Sequence, residues 1–321
     1  SSSEVPMAPT NRVLAITGAF GFIGSRLVNR LQQSDFYSKV VLTDVLEPAM
    51  ELPGNYVFRH CDIRDGDTLK DIFTGEGVTD VVHLAYLSNP TRDLDLEYQI
   101  DVKGSENVIN AAKACGAGKF VIASSDCAYG FFPGTPDHLP EEAPLRPTPG
   151  FTYAINKTII EKMVQNYAAD NPETSVVIFR PCIVMGPNCK SAVAKSLEGP
   201  FIIGFRGYNP IMQYVHEDDV AEAFYLALTK DVSGAFNLAA DEGLPYDKMA
   251  EAAGKKLVRL PAGLMKPLVS LLYTLRLMPF GPAQLSYIQY PLSMKADKIR
   301  EKLGFMPRYT SAEAIRSFLD R

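Results

Sequence analysis

The sequence predicts an α/β protein built on a doubly wound parallel sheet, with a smaller mixed C-terminal lobe. Two observations predict it. Short β-branched runs alternate with helix-length amphipathic stretches as far as Arg180, and the first run ends in a glycine-rich turn, TGAFGFIGS (17–25). Strands that alternate with helices need crossover connections, and crossovers lay helices on both faces of a parallel sheet.

Taken in order, RVLAIT (12–17), KVVLTD (39–44), YVFRH (56–60), DVVHLA (80–85), KFVIAS (119–124) and SVVIF (175–179) read as buried strands. Helical patterns near 22–34, 66–75, 93–115 and 151–169 lie between them. Beyond Arg180 the rhythm breaks into loops rich in Gly and Pro, followed by helices near 217–229, 246–254, 266–277, 295–303 and 311–319. We therefore divide the chain into a tail (1–11), a dinucleotide-binding domain (12–180) and a substrate lobe (181–321) interleaved with the core.

Composition narrows the function classes. Of 321 residues, 46% are hydrophobic and 21% charged, and the net charge of -5 leaves no basic block for nucleic acid. The cysteines at 61, 115, 127, 182 and 189 are odd in number and form no C-x-x-C pair, as expected of reduced thiols in a cytoplasmic protein. SSSEVPMAPTN lacks the basic start and apolar core of a signal peptide. The longest apolar stretch, LMKPLVSLLYTLRLMPF from Leu264, is interrupted by Lys266, Pro267 and Arg276 and is too short for an integral membrane segment.

In the glycine turn, Gly18 would let the chain turn sharply, Gly21 would let backbone approach a pyrophosphate, and Gly24 would let the helix pack on the sheet. A turn without a ligand uses the same glycines. Asp44, at the end of the second strand, favours the ligand: an acid there accepts from the adenosine ribose hydroxyls and repels the 2'-phosphate of NADP, so NAD is expected. Asp62 is a candidate for the adenine edge, or equally a cap for the helix that follows.

FTYAINKTIIEKMVQNY places Tyr153 and Lys157 four residues apart on one helix face. A phenol of pKa near ~10 is a poor base, and a fixed ammonium beside it favours the phenolate; such pairs also occur on plain helix surfaces. Upstream, SSDCAYG puts Ser124 and Ser125 at the carboxyl edge of the sheet, either to hold a substrate oxygen or to cap the loop.

TGAFGFIG, Asp44, SSDCAYG, YAINK, RPCIVMGP (180–187), YVHEDDVAEA (214–223) and LGFMPRYT (303–310) together resemble the ordered motifs of the extended short-chain dehydrogenases/reductases, the NAD-dependent epimerase/dehydratase family. The resemblance runs from about residue 12 to the C-terminus. It implies a Rossmann core, Tyr153 as general acid/base, Ser125 as its partner with Ser124 as runner-up, and Lys157 on the nicotinamide ribose. The cofactor lining it implies adds Phe20, Phe22 and Ile23 in the glycine turn, Ile63 beside Asp62, Leu84, Ala85 and Tyr86 after the fourth strand, and Pro181. It also implies a homodimer through the helices near 93–115 and 151–169.

The departures from the family pattern bear on the substrate. Asp101 stands where an asparagine is usual, and Tyr86 where a small residue is. Asp126 keeps the first acid that dehydratases place after the serine motif, but Cys127 replaces the second. Met212 occupies the position of the arginine that grips a sugar-nucleotide diphosphate, and Pro181, Cys182 and Ile183 leave no asparagine after Arg180; Arg206 and Arg276 are the remaining candidate clamps. Tyr86, Asp126, Cys127 and Met212 are thus candidate substrate contacts, and the 264–280 segment reads as a lid over an apolar substrate or as an ordinary packed helix. His216 reads as structural, and no metal site is expected. Three activities follow: an NAD-dependent oxidoreductase acting on a secondary alcohol or ketone, a sugar-nucleotide 4-epimerase using the same residues, or an idle NAD-binding protein.

Overall fold

The computed structural model describes residues 10–49, 51–87, 89, 91–277 and 281–321; residues 1–9 of the tail and 278–280 of the apolar segment lie outside them. Its strands are β1 (Thr10–Thr17), β2 (Tyr37–Asp44), β3 (Tyr56–His60), β4 (Asp80–His83), β5 (Lys119–Ala123), β6 (Ser175–Pro181), β7 (Ile183–Met185), β8 (Phe201–Phe205), β9 (Ile211–Met212), β10 (Tyr214–His216), β11 (Gly234–Leu238), β12 (Leu244–Pro245) and β13 (Lys256–Leu260). The helices of the first half are α1 (Phe22–Leu31), α2 (Gly66–Gly75), α3 (Leu94–Tyr98), α4 (Gly104–Cys115) and α5 (Thr152–Asp170). Those of the second half are α6 (Ala192–Ser196), α7 (Glu217–Thr229), α8 (Tyr246–Ala252), α9 (Ala262–Thr274), α10 (Asp297–Leu303) and α11 (Ser311–Leu319).

Seven strands make one parallel sheet in the order β11-β6-β5-β4-β1-β2-β3. Residues along a strand face alternate sides, and both sides are covered. Leu14, Ile16, Val82 and Phe179 pack toward Leu27 of α1 and Phe224 of α7. Ala15, Val81, Phe120 and Ile122 pack toward Leu69 of α2, Val108 of α4 and Ile160 of α5. The strand order reverses between β1 and β4, and the crevice beyond their carboxyl ends is where such sheets bind ligands.

The six strands expected from the sequence form, and four differences are informative. The seventh strand, β11, lies within the span assigned to the lobe; it pairs with β6, and α7 returns to the sheet, where Arg30 of α1 meets both Glu222 and Tyr225. β1 starts at Thr10, inside the stretch read as tail. The helix expected over 93–115 is broken by a π-helical turn at Gln99–Lys103, which joins α3 to α4. Finally, α9 begins at Ala262 and carries Pro267 in its interior, whereas proline's preference for a first turn suggests a start at Lys266.

The remaining strands build the lobe as three small pairs, β7 with β10, β9 with β12 and β8 with β13. They close around Met185, Tyr214, Tyr246 and Phe318. No helix among the described residues is long and apolar enough to cross a membrane.

Candidate active site

The glycine turn sits at the switch point. Gly18 has φ +68°, and a Cβ there would lie 2.6 Å from the Ala85 nitrogen, so the turn is pressed against the loop after β4. A Cβ on Gly24 would lie 2.1 Å from the Gly18 carbonyl, which fixes α1 tightly on β1. Gly21 is the N-cap of α1 and offers no side-chain acceptor, and the first turn holds no acid. The first amides of α1 therefore have no side-chain partner, which suits a pyrophosphate. Asp44 secures the turn from β2: its carboxylate accepts from Phe20 N at 2.8 Å and from Leu46 N at 3.0 Å. Each oxygen keeps a lone pair for a ribose hydroxyl. The turn thus fits a dinucleotide, with Asp44 at its ribose end.

Around this turn, Phe20 packs its ring on Phe58 at 5.6 Å. Phe22 reaches the lobe cluster and Ile23 the sheet core, both half-buried, so the buried face of α1 starts at Gly24. Leu84 N donates to the Thr17 carbonyl at 3.0 Å, joining the ends of β4 and β1. Ile63 is buried against Gly104, where a Cβ would lie 2.4 Å from its Cδ1. Asp62 is held by Arg64 through side chain and backbone, which lowers its carboxyl pKa; the helix cap is Asp65, which accepts from Thr68 N at 3.0 Å. Pro181 ends β6 beside Leu238 of β11.

The loop after β5 and the start of α5 bring the catalytic candidates together. Ser125 lies beside the Tyr153 phenol and draws its pKa down, and its Oγ donates to Asp126 Oδ1 at 3.0 Å and accepts from Cys127 N at 3.2 Å. Ser124 turns away and donates to Glu161 Oε2 at 2.6 Å. Lys157 Nζ donates to the Ala123 carbonyl at 2.8 Å, lies 3.1 Å from the Tyr86 ring centroid and 5.8 Å from that of Tyr153. Tyr86, expected in the cofactor lining and as a substrate contact, caps the ammonium as a cation-π partner and leans on His83 at 4.5 Å. Its buried hydroxyl has no hydrogen-bond partner.

Burial dominates the titration of these groups. It pushes Tyr153 well above the usual phenol range; Cys127, Asp126 and Asp101 push the same way, and Ser125 pulls it back. Burial also lowers Lys157 to about 7, against the pull of Asp101, Cys127 and Glu161. Asp101 enters through the π turn, where its Oδ1 accepts from Leu87 N at 2.9 Å; burial raises its pKa while that amide and Lys157 lower it. π turns recur at functional sites, and this one was hidden in the sequence by an unbroken helical pattern. His83, bridged between Thr17 and Ser105, is driven down to about 3 by burial and then by Lys157, and stays neutral.

A cavity beside Ser125 is lined by Asp126, Phe131, Ile183, Met212, Tyr287 and Leu292, with Ile211 and Gln213 completing it. It holds about 10 Å³, room for little more than one water, so a substrate must displace a wall. Among the described residues no Lys or Arg lines it. Arg206 and Arg276, the candidate clamps, are both exposed, and Arg276 sits at φ 61° after α9. Tyr287 and Phe131, in edge contact at 4.9 Å, carried no motif in the sequence and emerge only from the fold. Gln213 is occupied by Met294 and the Asp241 carbonyl. His216 accepts from Asp218 N as the N-cap of α7 and stacks on Tyr309 at 3.8 Å.

Asp126 provides a test of this electrostatic picture. Burial raises its carboxyl to about 6, against hydrogen bonds from Ser125 and Cys127. The folded chain then holds this proton more tightly than the unfolded one, so its contribution is present at low pH and is lost as pH rises through about 6. Asp126→Asn should leave stability nearly unchanged at pH 4 and raise it by as much as about 3 kcal/mol at pH 8. Urea denaturation at the two pH values checks this, and a variant less stable at pH 8 than the parent would refute it.

Fold and site together define a Rossmann enzyme of the extended short-chain dehydrogenase/reductase type. The chain belongs to the NAD dependent epimerase/dehydratase family, whose profile matches residues 14–239. It is 28% identical over 319 residues to an uncharacterized protein of Mycobacterium tuberculosis, covering 98% of this chain and 84% of that one. It is 27% identical over 344 residues to UDP-glucose 4-epimerase 1 of Oryza sativa subsp. japonica, covering 91% of each. Among solved structures, a UDP-glucose 4-epimerase of Thermotoga maritima with UDP-glucose superposes with a TM-score of 0.74 at 22% identity, covering 96% of this chain and 97% of that one.

Proposed function

We propose that this protein is an NAD-dependent oxidoreductase acting on a secondary alcohol or ketone of apolar character. The observation that carries the reading is the meeting of Ser125, Tyr153 and Lys157 at the carboxyl edge of the sheet, beside a cavity lined mainly by apolar side chains together with Asp126 and Gln213. Bound NAD supplies the hydride acceptor at its nicotinamide ring. In the oxidative direction the alcohol O–H proton passes to the Tyr153 oxygen as the carbonyl forms. Ser125 holds the substrate oxygen beside the phenol, and Lys157, in its protonated form, opposes the rise that burial imposes on the Tyr153 phenol. The first amides of α1 and Asp44 bind the pyrophosphate and the adenosine ribose.

The second reading, a sugar-nucleotide 4-epimerase, is favoured by the names of the Oryza and Thermotoga relatives. It is weakened by Met212 at the clamp position and by a lining without a cation, since a diphosphate draws its strongest contacts from Arg or Lys. We also read the protein as a cytoplasmic homodimer paired through the helices over 93–115 and 151–169, with residues 12–180 as cofactor domain and the later segments as substrate lobe.

Purified protein incubated with NAD and a panel of apolar secondary alcohols should generate NADH absorbance. Tightly held NAD, no NADH from any alcohol, and interconversion of UDP-glucose and UDP-galactose would replace this reading with the epimerase.

A further inference from the structure

Helix α9 is apolar on both faces. Met265 and Val269 are buried with Phe205 and Leu285, whereas Leu264, Leu268, Leu271 and Leu275 are 44–57% exposed. These four fall at i, i+4, i+7 and i+11, a single stripe along a 3.6-residue helix. Leu277, just past the helix, is 71% exposed. A continuous apolar stripe of this kind marks an interaction surface.

The charge of the chain on either side of it is equally uneven, and in space Arg92 adds a further cation over Tyr273 of α9. From Ala252 to Ala296 the chain has no Asp or Glu but carries Lys255, Lys256, Arg259, Lys266, Arg276 and Lys295, in a protein whose net charge is -5. Among the described residues only Lys295 of these six forms an ion pair, with Asp297. Lys255 and Lys256 lie ahead of the leucine stripe and Arg276 directly after it.

We propose that α9 and its flanking cations form a peripheral docking surface for an anionic lipid bilayer. The leucines enter the boundary between headgroups and acyl chains, and the lysines and arginine meet the lipid phosphates. At 13 residues, about 20 Å, the helix is too short to span and lies in the interfacial plane. Charge argues against a second copy as the occupant, because a two-fold contact through α9 would bring this acid-free segment against its own cations. The site has a catalytic neighbour: α9 packs on Leu285 and Ile288 of the turn Pro282–Ile288, whose Tyr287 lines the active-site cavity. Docking on a bilayer therefore sets the cavity wall directly beneath the contact. The inference does not depend on which reaction the site performs.

Flotation of the full chain with vesicles tests it, using phosphatidylcholine alone and phosphatidylcholine with about 30% phosphatidylserine. The protein should float with the anionic vesicles, weakly with the neutral ones, and less as salt rises. Leu268→Glu with Leu271→Glu should lower binding by about tenfold or more, and Lys256→Glu with Arg276→Glu should lower it on anionic vesicles specifically. All four side chains are exposed, so thermal melts of both variants should match the parent. Three results would overturn the proposal: no binding of the parent to anionic vesicles, undiminished binding of the leucine variant, or a parent dimer that the leucine variant splits while vesicles capture nothing.

Discussion

Replacing Tyr153 with phenylalanine should lower kcat by about 10²- to 10⁴-fold, the range expected when a general acid or base is removed. NAD affinity should change only a few-fold. The substitution deletes one oxygen and keeps the ring that leans on Phe151 at 6.2 Å, so the start of α5 retains its packing. The groups assigned to NAD, namely the first amides of α1, Asp44 and Lys157, are left in place. What disappears is the phenol oxygen whose pKa Ser125 lowers. Turnover measured with the alcohol found by screening, beside an NAD titration followed by calorimetry, separates chemistry from binding. A Tyr153→Phe variant with more than half the parent kcat would remove Tyr153 from the reaction and revive the idle NAD-binding reading.

Much of this site is legible in the sequence because its logic is local. A strand, three glycines and a helix are contiguous, Asp44 closes the next strand, and Tyr153 and Lys157 are one helical turn apart. What escaped depends on contacts between distant segments. β11 is five residues long and becomes a strand only because β6 offers it an edge. Ser124 and Ser125 are adjacent in sequence, yet one donates to Glu161 and the other to Asp126, because neighbouring residues of an extended segment face opposite sides. Asp62 is a local case: its carboxylate pairs with Arg64 two places away, and the α2 cap falls to Asp65. The Tyr86 contact with Lys157 joins the loop after β4 to α5, and no spacing rule announces it.

The same distant pairing yields the largest expected effect on stability. Glu161 is fully buried and lies one turn past Lys157 on α5. Its carboxylate accepts from Arg180 Nε at 3.0 Å and Nη2 at 2.5 Å, from Ser124 Oγ at 2.6 Å and from Gln165 Nε2 at 3.1 Å. Arg180, on β6, also donates to Tyr129 Oη at 2.6 Å and to the Glu141 carbonyl at 2.7 Å. The pair thus bolts α5 to the sheet and to the loop carrying Ser125. Glu161→Ala leaves a guanidinium in the core without its counter-charge, and should cost about 3–5 kcal/mol in urea denaturation. Arg180→Met, which strands the carboxylate instead, should cost a similar amount. The double variant Glu161→Leu with Arg180→Met removes both charges, so it should be more stable than either single variant, because an apolar pair escapes the desolvation penalty. Recovery should stay incomplete, since Tyr129 and the Glu141 carbonyl each lose a donor. Single variants within about 1 kcal/mol of the parent would mean that water reaches the pair and screens it as at a surface. If the pair anchors α5, the double variant should also turn over more slowly than the parent despite its regained stability, because packing alone does not hold Tyr153 and Lys157 in register with Ser125.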